Sequence, residues 1–354
     1  MTLDIYAGKK AFTTIKEKGF KQELFTSFLG ASGGPKWFVL SGLDKYLFGE
    51  FFQQRSTPLK VIGSSIGSFR TACFCQDKPV EAINRFIDAY LSITYEGRPT
   101  PEQVTESSVP ILKAILGYNQ EGIEQIVNNE LFKAHFIVTK SHGLVAKESK
   151  YWQLLGLVKS FTLNAFSRSL LTGQYQRFIF QQGDSDLAIF DPDGFSTKKV
   201  TLSPANLKDA LLASGCIPLV MAGIKDIDGA EIGMYRDGGI VDYHFDFNIK
   251  NSGLTLYPHF SSTVKPGWFD KGLKRSFRVE NYDNTVLLCP SDEFIQSLPY
   301  NKISDRKDFE IMTDKNRVEY WQTIISRSDE LVDDLSDFIN KQYFSRIKPI
   351  EELQ

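Results

Sequence analysis

Lys60-Val61-Ile62-Gly63-Ser64-Ser65-Ile66-Gly67-Ser68-Phe69-Arg70 sets a serine between two glycines, with Gly63, Ser65 and Gly67 in a G-x-S-x-G pattern. Leu59, Val61 and Ile62 predict a short buried strand, and Ile66 to Phe74 predict a helix that follows it directly. A chain passing from strand to helix in so few residues must turn sharply. Such a turn forces the central serine into a strained backbone conformation and leaves room only for small neighbours, a demand that Gly63 and Gly67 meet. The alternative is a glycine-rich turn in which Ser65 merely caps the helix, since serine also favours that position.

A second unit of the same kind lies upstream. Leu24 to Leu29 predicts a strand feeding the loop Gly30-Ala31-Ser32-Gly33-Gly34, closed by Pro35 and Lys36, and Pro35 suits the first position of a helix. Phe38, Val39, Leu43, Leu47 and Phe51 recur near helical spacing over 36–52. Strand, glycine loop and helix, twice in succession, predict an α/β fold with a parallel sheet covered on both faces. The loop does not match a phosphate loop, because Pro35 stands where the second glycine belongs and Trp37 follows the lysine.

A length of 354 residues allows one large domain or two average ones, with ample core. Hydrophobic content of 42% and charged content of 24% are those of an ordinary globular chain, and the formal net charge of −2 argues against nucleic acid as a partner. Cys73, Cys75, Cys216 and Cys289 lack metal-ligand spacing and predict buried free thiols. No stretch has the apolar length of a secretory signal or a transmembrane segment, so a reducing, cytoplasmic location is expected.

Farther along, Pro79 opens an amphipathic helix, Gly97 to Pro101 breaks the chain, and helices are expected near 102–116, interrupted by Pro110, and 119–132. His135 to Lys140 predicts a strand. Tyr151 to Leu171 is apolar on too many faces for a surface helix, which makes it core, a lid or a lipid-facing element. Arg177 to Phe180 and Leu187 to Phe190 predict a hairpin, Leu254 to Tyr257 and Thr285 to Cys289 predict strands, and Asp314 to Phe344 predicts a long helical region. No repeat or linker divides the chain. A single domain over 1–354 is expected, with helical insertions at about 95–175 and a C-terminal helical region at about 305–345.

Acyl transfer needs a nucleophile, a base and donors aimed at a developing oxyanion. Ser65 can supply the first. Asp237, followed by Gly238 and Gly239, can approach a neighbouring loop closely and supply the second. The amides of Gly33, Gly34 and Ile66, at predicted helix N-termini, can supply the third.

The glycine loop, the G-x-S-x-G elbow and a distant Asp-Gly-Gly, preceded by Ala213-Ser214-Gly215-Cys216-Ile217-Pro218, together resemble the patatin-like phospholipase family over about residues 24–245. The resemblance implies a three-layer α/β sandwich with a mainly parallel central sheet, and a serine-aspartate dyad without histidine. It implies Ser65 as nucleophile, Asp237 as base, Gly33 and Gly34 at the oxyanion, and Lys36 as the loop's basic residue. The substrate it implies is an acyl ester of a lipid, with no cofactor and no metal. Two departures stand out. Gly30-Ala31-Ser32 and Trp37 replace family glycine positions, leaving open which two amides face the oxyanion, and Ile240-Val241-Asp242-Tyr243-His244 replaces the usual asparagine and proline.

Other readings remain open at this level. A triad of Ser65, Asp237 and His259 has the right chain order. The same fold could serve an acyltransferase, a thioesterase or a non-catalytic lipid-binding protein. Transient contact with a membrane surface is expected, for which Trp268, Phe269, Lys271, Lys274, Arg275 and Phe277 form a candidate aromatic and basic stretch, a solvated loop being the alternative.

Overall fold

The computed structural model describes residues 1–354 except 96, 98 and 251, so Arg98 of the predicted break lies outside the described residues. Along the chain, β1 (Leu3–Ala7) and α1 (Lys9–Lys18) lead to β2 (Phe25–Gly30), whose glycine loop enters a 3-10 stretch (Gly34–Leu40) and then α2 (Ser41–Tyr46). β3 (Leu59–Ser64) passes directly into α3 (Ile66–Phe74), followed by α4 (Pro79–Leu91), α5 (Pro101–Leu116) and α6 (Glu121–Asn128). Next come β4 (Phe132–Ser141), α7 (Lys150–Phe166), β5 (Tyr175–Gln181), β6 (Ile189–Phe190), β7 (Thr197–Thr201) and α8 (Leu207–Gly215). β8 (Ile224–Lys225), β9 (Met234–Asp237), β10 (Asn248–Ile249), β11 (Leu254–Pro258) and β12 (Thr285–Pro290) follow. The chain closes with α9 (Asp292–Ser297), α10 (Asp308–Ile311), α11 (Asp314–Arg327), α12 (Asp329–Lys341) and β13 (Ile347–Pro349).

The main sheet runs β13-β1-β12-β11-β2-β3-β4-β5-β7. Its centre, β12 to β4, is parallel, while β1 and β5 join antiparallel on either side. β11 and β12 are buried along their whole length, and β2, β3 and β4 nearly so, which requires cover on both faces. The result is the three-layer α/β arrangement expected from the alternating pattern.

One feature of the register positions the site. Ser64, the last residue of β3, pairs with Ile137 of β4, and there β3 leaves the sheet. β9 enters from the opposite direction along the vacated edge and ends with Asp237 paired to Val138. The C-terminal ends of β3 and β9 therefore abut on successive residues of β4.

Four local expectations are corrected. The hairpin does not form, because the turn after β5 bonds to β4 through Lys133 to Asp184 at 2.8 Å and His135 Nε2 to Ser185 Oγ at 2.6 Å. β6 instead pairs with β10, and β5 takes β7 as a parallel neighbour. Pro110 does not interrupt α5; it lies on an exposed face, where the carbonyl it leaves unbonded is open to water. The long C-terminal helical region is two helices divided at Ser328, whose hydroxyl accepts the Gly42 amide at 2.9 Å and so docks the junction onto α2. The helix expected over 36–52 is irregular, with a π-turn over Leu47–Phe51.

Candidate active site

Ser65 sits between β3 and α3 with φ 55° and ψ −127°, a backbone region that side chains other than glycine rarely occupy. The strain is held by tight packing around the elbow. A methyl group added at Gly67 would fall on the carbonyl of Gly30, and one at Gly63 would fall on that of Gly67. The ends of β2 and β3 and the first turn of α3 are thus locked backbone to backbone. The Ser65 amide donates to Ser214 Oγ at 3.0 Å, and Ser214 in turn donates to the Ile137 carbonyl at 2.7 Å and bonds Ser68 Oγ at 2.8 Å. α8 therefore supports the elbow from behind.

Ser65 Oγ donates to Asp237 Oδ2 at 2.7 Å. The other carboxylate oxygen accepts the Gly239 amide at 2.7 Å, and the Asp237 amide donates to the Cys216 carbonyl at 3.0 Å. Gly238 and Gly239 begin a 3-10 turn in which a methyl group at Gly238 would fall on the Ile137 carbonyl oxygen and one at Gly239 would stand 2.6 Å from Ser32 Oγ, so the turn needs glycine to pack against β4 and the glycine loop. Burial pushes the Asp237 carboxyl up to about 6, although the bonds from Ser65 and Gly239 pull the other way. A carboxylate so placed is a stronger base than one in water, and its acceptor atoms are already aimed at a hydroxyl.

The amides of Gly33, Gly34 and Ile66 donate to no protein acceptor among the described residues. Gly34 has φ +58°, and Gly33 packs so closely on Phe260 that a methyl group would meet the ring at 2.5 Å. The loop is anchored by Ser32, whose amide donates to the Tyr243 carbonyl at 3.1 Å and whose hydroxyl reaches the Ser64 carbonyl at 3.2 Å. Trp37 points away from the site and stacks on Phe86 in the core, 4.6 Å between centroids.

Ser65, Asp237, Gly33, Gly34, Lys36 and Gly239 line one cavity of about 230 Å³, whose opposite walls are Ile217, Pro218, Ile240, Tyr243 and Trp268. Its mouth carries Lys36, Lys271, Arg306 and Lys307 against one acid, Asp305, which pairs with Lys36 at 3.5 Å. The ammonium of Lys271 packs 3.8 Å from the centre of the Tyr243 ring; desolvation there, with Arg306 and Lys36 nearby, pulls its pKa down to about 8. Such a cavity can admit an ester, offer it a nucleophile and donors at its floor, and meet an anionic group at its rim.

Gly63, Gly67 and Gly238 lie behind this cavity as steric requirements of the elbow and the aspartate turn. The histidine alternative fails on geometry. Both Asp237 oxygens are engaged by Ser65 and Gly239, while His259 Nδ1 faces the Ser261 carbonyl and its Nε2 has no partner among the described residues. Burial pushes His259 down to about 3, which keeps the ring neutral. The candidate interfacial stretch is also corrected: Phe269 and Phe277 are buried, and Trp268 is a pocket wall. Arg306 and Lys307 carry no role in the sequence reading, because single basic residues have no spacing that marks them; Lys271 enters there only as part of the candidate interfacial stretch, and Ser214 only as part of the segment before the aspartate. No group of three or more His, Cys, Asp or Glu side chains among the described residues is placed to hold a metal ion.

A family model described as patatin-like phospholipase matches residues 31–244. No curated protein matches the chain. Among solved structures, a chain of the heterodimeric ExoU–SpcU complex from the type III secretion system of Pseudomonas aeruginosa is similar at 14% identity and a TM-score of 0.29. That match covers 88% of this chain and 52% of the other, so the chain spans about half the length of that relative.

Proposed function

The chain belongs to the patatin-like phospholipase family, and on that premise we propose that it is a serine acyl hydrolase of phospholipid or related lipid esters, working through Ser65 and Asp237. The reading takes residues 1–354 as one unit, in keeping with a core that runs from Leu3 to Ile350. The observation that carries it is the direct 2.7 Å hydrogen bond from Ser65 Oγ to Asp237 Oδ2 at the floor of a lined cavity.

In this reading Asp237 Oδ2 takes the Ser65 proton as Oγ attacks the ester carbonyl. The negative charge that develops on the carbonyl oxygen meets the free amides of Gly33, Gly34 and Ile66, which are fixed in place before the reaction. Asp237 then returns the proton to the departing alcohol, leaving an acyl group on Ser65. A water molecule, deprotonated by the same carboxylate, releases the acid. A dyad has no third residue to orient the base, and the Gly239 amide on Oδ1 does that work here. The carboxyl value of about 6 lies close to neutrality, where a general base is most effective.

The test is hydrolysis of a short-chain nitrophenyl ester and of a defined phospholipid by wild type, Ser65→Ala and Asp237→Asn. Wild type should cleave both, and each variant should lose roughly a thousandfold or more. Full turnover by either variant would overturn the assignment.

A further inference from the structure

α7 is built the wrong way round for a helix on a protein surface. Its inward stripe is Gln153, Gly156, Leu157, Ser160 and Asn164, at successive helical spacings, and contains a single large apolar side chain. The outward side presents Tyr151, Trp152, Leu155, Val158, Phe161 and Phe166, with Val158 56% exposed and Phe166 81% exposed. An isolated exposed leucine needs no explanation, but a contiguous aromatic and aliphatic face on one helix does.

The polar inner face holds the helix firmly in this orientation. Gln153 accepts the Leu219 amide at 2.6 Å, beside Ile217 and Pro218 of the pocket wall. Asn164 donates to Asp270 at 2.7 Å and its carbonyl accepts Arg275 at 2.7 Å, beside Trp268 and Lys271. Leu157 packs in a small apolar cluster with Ile240, which also faces the cavity. Both ends of α7 are thus tied to the pocket rim, and the apolar face is turned away from the protein by bonds that specify it.

The charges on this element share one sign. Lys150 and Lys159 are the only ionisable groups of α7 besides Tyr151, with no acid among its residues, and the nearby Glu148 is neutralised by Arg236 at 2.6 Å. The adjoining pocket mouth adds Lys36, Lys271, Arg306 and Lys307 against Asp305. Exposed aromatics and aliphatics flanked by lysines, without acids, are the pattern of a helix that lies in the plane of an anionic lipid interface.

We propose that the outward face of α7 docks the protein on an anionic lipid bilayer and seats the pocket mouth at its surface. The proposal rests on the reading of the pocket as a lipid acyl hydrolase site. No helix among the described residues is long and apolar enough to cross a membrane, and this contact is one of lying on the surface.

The test is flotation of the full chain, carrying Ser65→Ala so that vesicles stay intact, with phosphatidylcholine vesicles with and without phosphatidylglycerol. The parent should float with the anionic vesicles, and Val158→Asp combined with Phe161→Asp should weaken binding by roughly tenfold or more. In the parent protein Trp152 emission should be quenched by brominated phosphatidylglycerol, and Trp152→Phe should remove most of that quenching, which keeps the test valid should the double variant not fold. Failure to float, or binding and quenching indifferent to these substitutions, overturns the proposal. So does a parent dimer that ignores vesicles and is split by the double variant, which would assign the face to a second copy. Vesicle binding through α7 without any ester hydrolysis by wild type would leave docking standing and remove the hydrolase reading; hydrolysis of a soluble ester without vesicle binding would do the reverse.

Discussion

Ser65 and Asp237 are 172 residues apart in the chain and share a 2.7 Å hydrogen bond because the strands that end at Ser64 and Asp237 abut on one edge of β4. Ile137 and Val138, adjacent residues with no catalytic chemistry, set that distance through their pairing with Ser64 and Asp237. The geometry of the pair is thus a property of sheet register, which is stiff, and not of a loop, which is not.

The first consequence is a pH profile. With the Asp237 carboxyl held at about 6 by burial, the proposed base is protonated as pH falls through that value, so kcat/KM should rise across pH 5 to 7 and level off above. Stability should move the opposite way. The folded protein holds a proton on Asp237 that the unfolded chain, with its carboxyl near 3.8, releases earlier, so this contribution is complete below about 4 and lost as pH rises through about 6. The full effect is about 3 kcal/mol. Asp237→Asn, for which loss of esterase activity is expected, should therefore unfold at a higher temperature than wild type at pH 8, as calorimetry would show.

Ser214 tests whether the elbow needs its support. Ser214→Ala leaves the Ser65 amide without its acceptor, and kcat for the nitrophenyl ester should fall by roughly tenfold to a hundredfold with KM nearly unchanged. A rise in KM at constant kcat would assign Ser214 to substrate binding instead.

The elbow glycines bear on folding more than on chemistry. Gly67→Ala puts a methyl group onto the Gly30 carbonyl of a neighbouring strand, and backbone cannot retreat as a side chain can. A loss of more than about 4 kcal/mol is expected, read as a collapse of the denaturant midpoint or as insoluble protein.

The basic mouth should distinguish substrates. Lys271→Ala combined with Arg306→Ala should raise KM for an anionic phospholipid by roughly tenfold while changing KM for an uncharged nitrophenyl ester little, since each solvent-screened charge pair contributes about 0.2–1 kcal/mol and two are removed. Equal effects on both substrates would place these cations outside headgroup recognition.

The parts legible in the sequence were those fixed by local rules. β3 and α3 could be placed from Leu59 to Phe74 because glycine spacing and apolar pattern agree there, and the helix bounds Ile66–Phe74 match the expectation. The pairing of β9 with the vacated edge of β4 was not legible, since Met234 to Asp237 is too short and polar to announce a strand. The expected β5–β6 hairpin does not form, and the sequence does not show this because a turn at Gly183 to Ser185 looks the same whether it folds back or is held by β4. The periodicity of Tyr151 to Leu171 was unreadable as a surface helix because its apolar side faces outward, and only Gln153 and Asn164, with their bonds to Leu219 and Asp270, show which side is in. Likewise the mouth cations come from three separate segments that no linear motif joins.

The most direct measurement is mass spectrometry of the wild-type protein after reaction with a fluorophosphonate, with the modified residue identified in a peptide digest. A nucleophile activated by Asp237 at the cavity floor should yield one phosphonyl adduct, on Ser65, at a rate that falls below pH 6. An adduct on another residue, or none on a folded protein, would contradict it.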